Sequence, residues 1–223
     1  MQTVVKFLLL IHVAAGATAL LSALAAISFR KGSPNHNLVG RIYFWCMIVV
    51  AVTAIPVAVV RPNPMLFFVA LFSGYMAYAG WRFGSRSRYL PSRPPVAEWA
   101  MLLVGLAMIS LGLWQVFSST PMGWVLVAFG GIGVQFAVQD IRGWGKSEEF
   151  SIRISNHLTH MLGGTIATVT AVLVQQVVPR LDQTSFLPVV VWLAPTVVIN
   201  PLIAIWVRQV HITQRARLFP RKR

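Results

Sequence analysis

The chemistry this chain can offer rests on its histidines, since it has five of them beside one cysteine and only five acidic side chains. His157 and His160 stand three residues apart, and on a helix that spacing sets two imidazoles on one face. His36 falls at the same membrane level in the topology derived below. Imidazole is the commonest metal ligand and carries protons near neutral pH, so three together suit a transition metal, a single haem b or a proton relay. The competing reading is a set of interfacial histidines bonded to loop carbonyls. His12 stands apart, about 17 residues before Phe29, or roughly 25 Å along a helix. At that depth it is an intramembrane polar site, with Gln115 or Asn200 as partners for an interhelical hydrogen bond. Because that half of the bilayer has one histidine only, electron transfer across the membrane by two bis-histidine haems is disfavoured. His211 lies in a basic tail and needs nothing beyond solvation. Cys46 can form no internal disulfide or thiolate metal site and is read as helix packing. Phosphate-cradling glycine loops, Gly-x-Ser-x-Gly elbows and His-Glu-x-x-His motifs are all missing, so catalytic residues are unassigned and enzymatic activity is left open.

The elements that must position these histidines are membrane spans. Hydrophobic residues make up 57% of the chain and charged residues 11%, against about a quarter charged in soluble domains. Seven apolar stretches cover residues 5–28, 42–60, 64–83, 97–117, 121–139, 154–178 and 186–207, each close to the length a hydrocarbon slab of about 30 Å requires. With no water to satisfy backbone groups, each must be helical, giving an all-α transmembrane bundle over residues 1–210 and a basic tail over 211–223. Sixteen of the nineteen Lys and Arg fall in alternate loops and the tail, leaving Lys6, Arg61 and Arg180 on the other side. Positive loops stay inside, so the amino terminus is expected outside, the carboxyl terminus in the cytoplasm, and the chain in the cell membrane. The tryptophans agree: Trp45, Trp81, Trp99, Trp144 and Trp206 read as an inner belt, and Trp114, Trp124 and Trp192 as an outer one. The first run also resembles a signal peptide, with Lys6 before it and small residues at its end. Arg30 and Lys31 after it favour an uncleaved helix.

The net charge of +14 is dispersed over short gaps, so the expected partner is the anionic inner leaflet and not nucleic acid. Glu98 opening span four and Asp140 closing span five are expected to pair with arginines there, or to stand behind a histidine as acceptors. Ala15, Ala19 and Ala23 on span one, and Gly163, Gly164, Ala167 and Ala171 on span six, mark close helix packing. Pro195 and Asn200-Pro201 are expected to bend span seven.

Two patches carry a resemblance. The first holds His12 and Gly16, then Lys31-Gly32, His36 and Gly40-Arg41-Ile42-Tyr43-Phe44-Trp45; the second holds Asn156-His157-Leu158 and Met161. Together they resemble a bacterial family of multi-pass membrane proteins, domain of unknown function 2306. The resemblance implies a multi-pass bacterial membrane protein with no settled activity, and marks Lys31, Gly32, Gly40 and Arg41 as motif residues. The chain departs from the pattern at Asn37 and His160, where arginine is expected.

Three functions fit this reading. The first is metal or single-haem binding by His157, His160 and His36 in a redox or sensing role. The second is transport of a small or lipid-like molecule, with His12 at the midplane site and span seven as gate. The third is a non-catalytic subunit, assembled with a membrane-protein partner or with copies of itself.

Overall fold

The computed structural model describes residues 2–85, 96–144 and 149–213, and every regular element among them is helical. Seven helices alternate across the bundle: α1 (Gln2–Ser28), α2 (Pro34–Val60), α3 (Pro64–Ser85), α4 (Val96–Phe117), α5 (Gly123–Gly143), α6 (Phe150–Val177) and α7 (Leu187–Thr213), with a short 3-10 turn, Val178–Arg180, after α6. All seven are long and apolar enough to cross a membrane. The chain is thus an integral membrane protein in architecture, as its composition requires.

At the basic end, where α1, α3, α5 and α7 finish and α2, α4 and α6 begin, every helix but α1 overruns its apolar stretch. Helix α2 starts at Pro34, eight residues before the apolar run does. Hydropathy sees only lipid contact, whereas the start is fixed by Ser33, whose hydroxyl accepts the His36 N–H at 3.2 Å, and by Pro34 in the first turn. Helix α7 runs through Pro195 and Pro201 to Thr213, taking in the first residues assigned to the tail. Residues 214–223 and the basic segments 86–95 and 145–148, with Arg86, Arg88, Arg93 and Lys146, lie outside the described residues.

In lipid no hydrophobic force draws helices together, so close van der Waals packing must do so. Helices α4 and α5 meet backbone to backbone. A Cβ on Gly112 would stand 2.7 Å from the Gly123 carbonyl oxygen, and one on Gly130 would stand 2.7 Å from that of Gly105. The seven-residue repeat, Gly105 to Gly112 and Gly123 to Gly130, sets these glycines on one face two turns apart. Helix α1 packs on α2 through Ala19 and Ala23, against Tyr43, Phe44 and Met47. These two pairs are joined by α3 and α6, which lie against each other. A Cβ on Gly80 would meet Met161 Cγ at 2.9 Å, and Gly163 and Gly164 of α6 face Met76. Ala171, by contrast, is exposed. The largest apolar core, with Phe72, Met76, Met101, Met108, Leu126 and Phe129, lies among α3, α4, α5 and α7. Trp192 belongs to it, 5% exposed with its ring 6.3 Å from that of Phe129, so this tryptophan is a core side chain and not part of a belt. Trp114, at 65%, is exposed as a belt requires.

Candidate functional site

The α3–α6 seam separates two polar assemblies at the basic end, one a cavity and the other a buried charge cluster. The cavity, of about 590 Å³, opens between α1, α2, α3 and α6. Its corner is built by four consecutive residues. Lys31 turns back so that Nζ donates to the last carbonyls of α1, Ala26 at 2.8 Å and Ile27 at 2.6 Å, and to that of Phe29 just beyond the helix at 3.3 Å. Carbonyls at the negative end of the helix dipole lack partners within the helix and favour a cation there. Gly32 takes φ +77°, a left-handed turn that a side chain would strain, and Ser33 and Pro34 then start α2. Burial holds the Lys31 ammonium below its usual range, at about 8.

Two histidines line this cavity, and their hydrogen bonds fix their tautomers. His36 Nδ1 lies 3.0 Å from the Ala26 carbonyl and His157 Nδ1 lies 2.7 Å from the Gly80 carbonyl. A carbonyl only accepts, so both Nδ1 atoms carry hydrogen and each neutral ring keeps its lone pair on Nε2. The ring centroids are 6.4 Å apart. Arg153 gives one N–H to the Phe83 carbonyl at 3.0 Å, which ties α6 to the end of α3. Arg41 is exposed at the mouth, and Gly40 leaves open space beside it. Apolar side chains such as Ile27, Leu158 and Leu162 complete the walls, and no carboxylate is among the described lining residues.

Both patches that carry the sequence resemblance meet here: Lys31, Gly32, His36, Gly40, Arg41 and Tyr43 from one, His157, Leu158 and Met161 from the other. Their aromatic residues have structural jobs. The Tyr43 hydroxyl donates to the Met161 carbonyl at 3.3 Å, Phe44 stacks on Trp81 at 5.0 Å, and Trp45 faces outward.

The charge cluster lies on the other side of the seam. Arg82 of α3 pairs with Glu98 of α4 and lies 3.4 Å from Asp140 of α5, while its guanidinium rests 4.3 Å from the Trp144 ring. His160 Nε2 is 3.2 Å from Asp140 Oδ2, and the Tyr75 hydroxyl donates to the same oxygen at 2.7 Å. All five side chains are between 0% and 6% exposed. Glu98 and Asp140 thus have the arginine expected of them, and Asp140 also stands behind a histidine. Arg82, however, is no loop cation: it is buried in the last turn of α3.

The structure therefore divides the three histidines. His36 and His157 share the cavity, while His160 turns into the cluster. Residues three apart on a helix diverge by about 60°. The glycine face of α3 enters that angle: a Cβ on Gly84 would fall 2.6 Å from His157 Nδ1. Among the described residues no three His, Cys, Asp or Glu side chains gather to hold a metal ion. His12 makes an interhelical bond, but with α2: its Nδ1 lies 3.1 Å from both the Val50 carbonyl and the Thr53 hydroxyl, not from Gln115 or Asn200. His211 Nε2 lies 3.2 Å from Ser155 Oγ, linking α7 to α6. Cys46 packs beside the α1–α2 core.

Comparison of the chain with protein-family models, curated proteins and solved structures finds no match.

Proposed function

We propose that this protein binds an amphiphile with an anionic head in the cavity between α1, α2, α3 and α6, and serves as a carrier or receptor for it. One observation carries the reading. A cavity within the usual size range for ligands joins cations, Lys31, Arg41 and Arg153, to apolar walls, with no described carboxylate to oppose an anion. Arg41 has no protein partner among the described residues, and Arg153 has donors beyond the one given to Phe83, so both can take a phosphate or carboxylate. The bias of basic residues supports a basic end facing the cytoplasm, with the amino terminus outside. The head group would then lie at the inner leaflet. That two separate motif patches meet in this cavity supports kinship with the domain of unknown function named above, and a shared site.

The test is thermal stability of the purified protein in a neutral detergent. Single-chain amphiphiles with phosphate, carboxylate or uncharged heads are added, and free inorganic phosphate serves as the headgroup alone. A rise with phosphate or carboxylate amphiphiles, lost in Arg41→Ala with Arg153→Ala, is the expected result. Equal stabilisation by the uncharged amphiphile would refute the site.

A second reading has its own observation. Two imidazoles, each held by Nδ1 and each with a lone pair on Nε2, line one cavity, as axial ligands of a single haem or ligands of one metal would. The visible spectrum and metal content of wild type, His36→Ala and His157→Ala decide it. Colourless, metal-free wild type rejects it.

A further inference from the structure

The cluster on the far side of the seam holds one guanidinium, two carboxylates and one imidazole, and its proton count can be read in two independent ways. The first is charge. Arginine does not release its proton in proteins. With Glu98 and Asp140 ionised, the buried group carries one net negative charge unless one further proton is bound, and an uncompensated buried charge is costly. The second is hydrogen bonding at His160. Its Nδ1 is 2.8 Å from the Asn156 carbonyl, which only accepts, so Nδ1 carries hydrogen. Its Nε2 faces Asp140 Oδ2 at 3.2 Å. That contact is attractive only with a second proton between the two atoms, on the ring or on the carboxyl. The hydroxyl of Tyr75 and the guanidinium of Arg82 already point their own hydrogens at the same oxygen. Both routes therefore require one proton: charge sets its number, and the His160 contacts place it between His160 and Asp140.

The site also has a mechanical position. Helices α5 and α6 make almost no direct backbone contact. What spans the gap is His160, whose Nε2 stands 3.2 Å from Asp140 and whose ring is flanked by that of Phe136 at 4.7 Å between centroids. The rings of Phe83, at 5.4 Å, and Tyr75, at 6.1 Å, close the remaining sides. The titratable and charged groups facing His160 are Tyr75 and Arg82 from α3, Glu98 from α4 and Asp140 from α5. His157 on its own helix faces the cavity instead.

We propose that His160 and Asp140 form a buried proton-binding site whose single exchangeable proton latches α6 to α5. Binding moves one proton from water to the pair and leaves the cluster neutral. Release returns it to water and leaves two carboxylates against one guanidinium, with nothing to hold His160 to Asp140. The proposal stands apart from the ligand cavity, because none of these residues lines it.

Magnetic resonance on the whole protein in lipid bilayers reads the proton directly. Nitrogen labelling of histidine gives five imidazoles, four of them assigned by His12→Gln, His36→Gln, His157→Gln and His211→Gln, so the cluster need not be mutated. Carbon labelling of aspartate gives two carboxyls, Asp140 and the exposed loop residue Asp182. The expected state at neutral pH is a doubly protonated His160 beside an ionised Asp140, or a singly protonated His160 beside a carboxylic acid. Spin labels at positions 139 and 152, in a Cys46→Ser background, report the α5–α6 distance, which lengthens as that proton leaves at higher pH. A singly protonated His160 with an ionised Asp140 at neutral pH overturns the proposal. So does a proton that stays over the whole pH range in which the protein is folded, or one that leaves with no change in distance.

Discussion

Replacing Arg82 by Met tests whether the charge cluster is a coupled unit. The substitution keeps most of the apolar stem and removes the cation that Glu98, fully buried, pairs with directly. What remains is two carboxylates and His160, so even with the ring protonated one buried negative charge lacks a partner. Breaking a buried pair in this way costs about 3–5 kcal/mol. Glu98→Gln is milder, about 1–3 kcal/mol, because Arg82 keeps Asp140 at 3.4 Å and the cluster regains neutrality when His160 gives up its proton. The double variant is the informative one. It leaves Asp140 and protonated His160 as a balanced pair, so it should be more stable than Arg82→Met alone, with a coupling of about 1–3 kcal/mol. Reversible unfolding in mixed micelles, titrated with a denaturing detergent, measures all three. If the double variant loses the sum of the two single losses, the groups act independently and the reasoning from charge balance fails.

Three further outcomes follow from geometry. Gly112→Ala should destabilise by about 1–3 kcal/mol through overpacking against the Gly123 carbonyl, whereas Gly131→Ala, whose new methyl meets open space, should be neutral or stabilise by up to about 1 kcal/mol; the same unfolding titration compares them. The Lys31 ammonium, lowered to about 8 by burial, is charged at neutral pH and loses its charge as pH rises through that value. Because the folded form sheds the proton first, folding stability should rise with pH between about 8 and the ordinary lysine range, while affinity for an anionic amphiphile falls. Calorimetric titration should show the affinity step in wild type and not in Lys31→Arg. His12→Leu should cost about 0.6–1.7 kcal/mol in the same unfolding titration, and Thr53→Val less, since His12 then keeps the Val50 carbonyl; the double variant should lose less than the sum of the two.

Seven spans and their alternation were legible because lipid imposes a length and a composition on each. Their ends at the basic face were not, since Asn35, His36, Asn37 and Arg41 are polar yet helical once Ser33 and Pro34 begin α2. The pairing of Glu98 and Asp140 with arginine was legible from scarcity: the acids are few, and these two stand at basic helix ends. Arg82 was counted among loop cations because charge bias is a tally of positions and carries no direction. A signal was present, as Tyr75 and Arg82 stand two turns apart on one face of α3 and both reach Asp140. The division of His157 from His160 was out of reach, because spacing gives their angle on α6 but not which helix enters it.

The order of the helices in the chain also governs how the molecule can be made. Arg82 emerges in α3 with no counter-charge, and its partners arrive one helix at a time: Glu98 with α4, Asp140 with α5, His160 with α6. The α1–α2 and α4–α5 pairs can each close as hairpins during synthesis. The α3–α6 contact that joins them must wait until three more spans have entered the bilayer. Until then α3 is a half-satisfied helix, and Arg82, in its last turn, must reach interfacial water or headgroups for the counter-charge that the finished protein supplies.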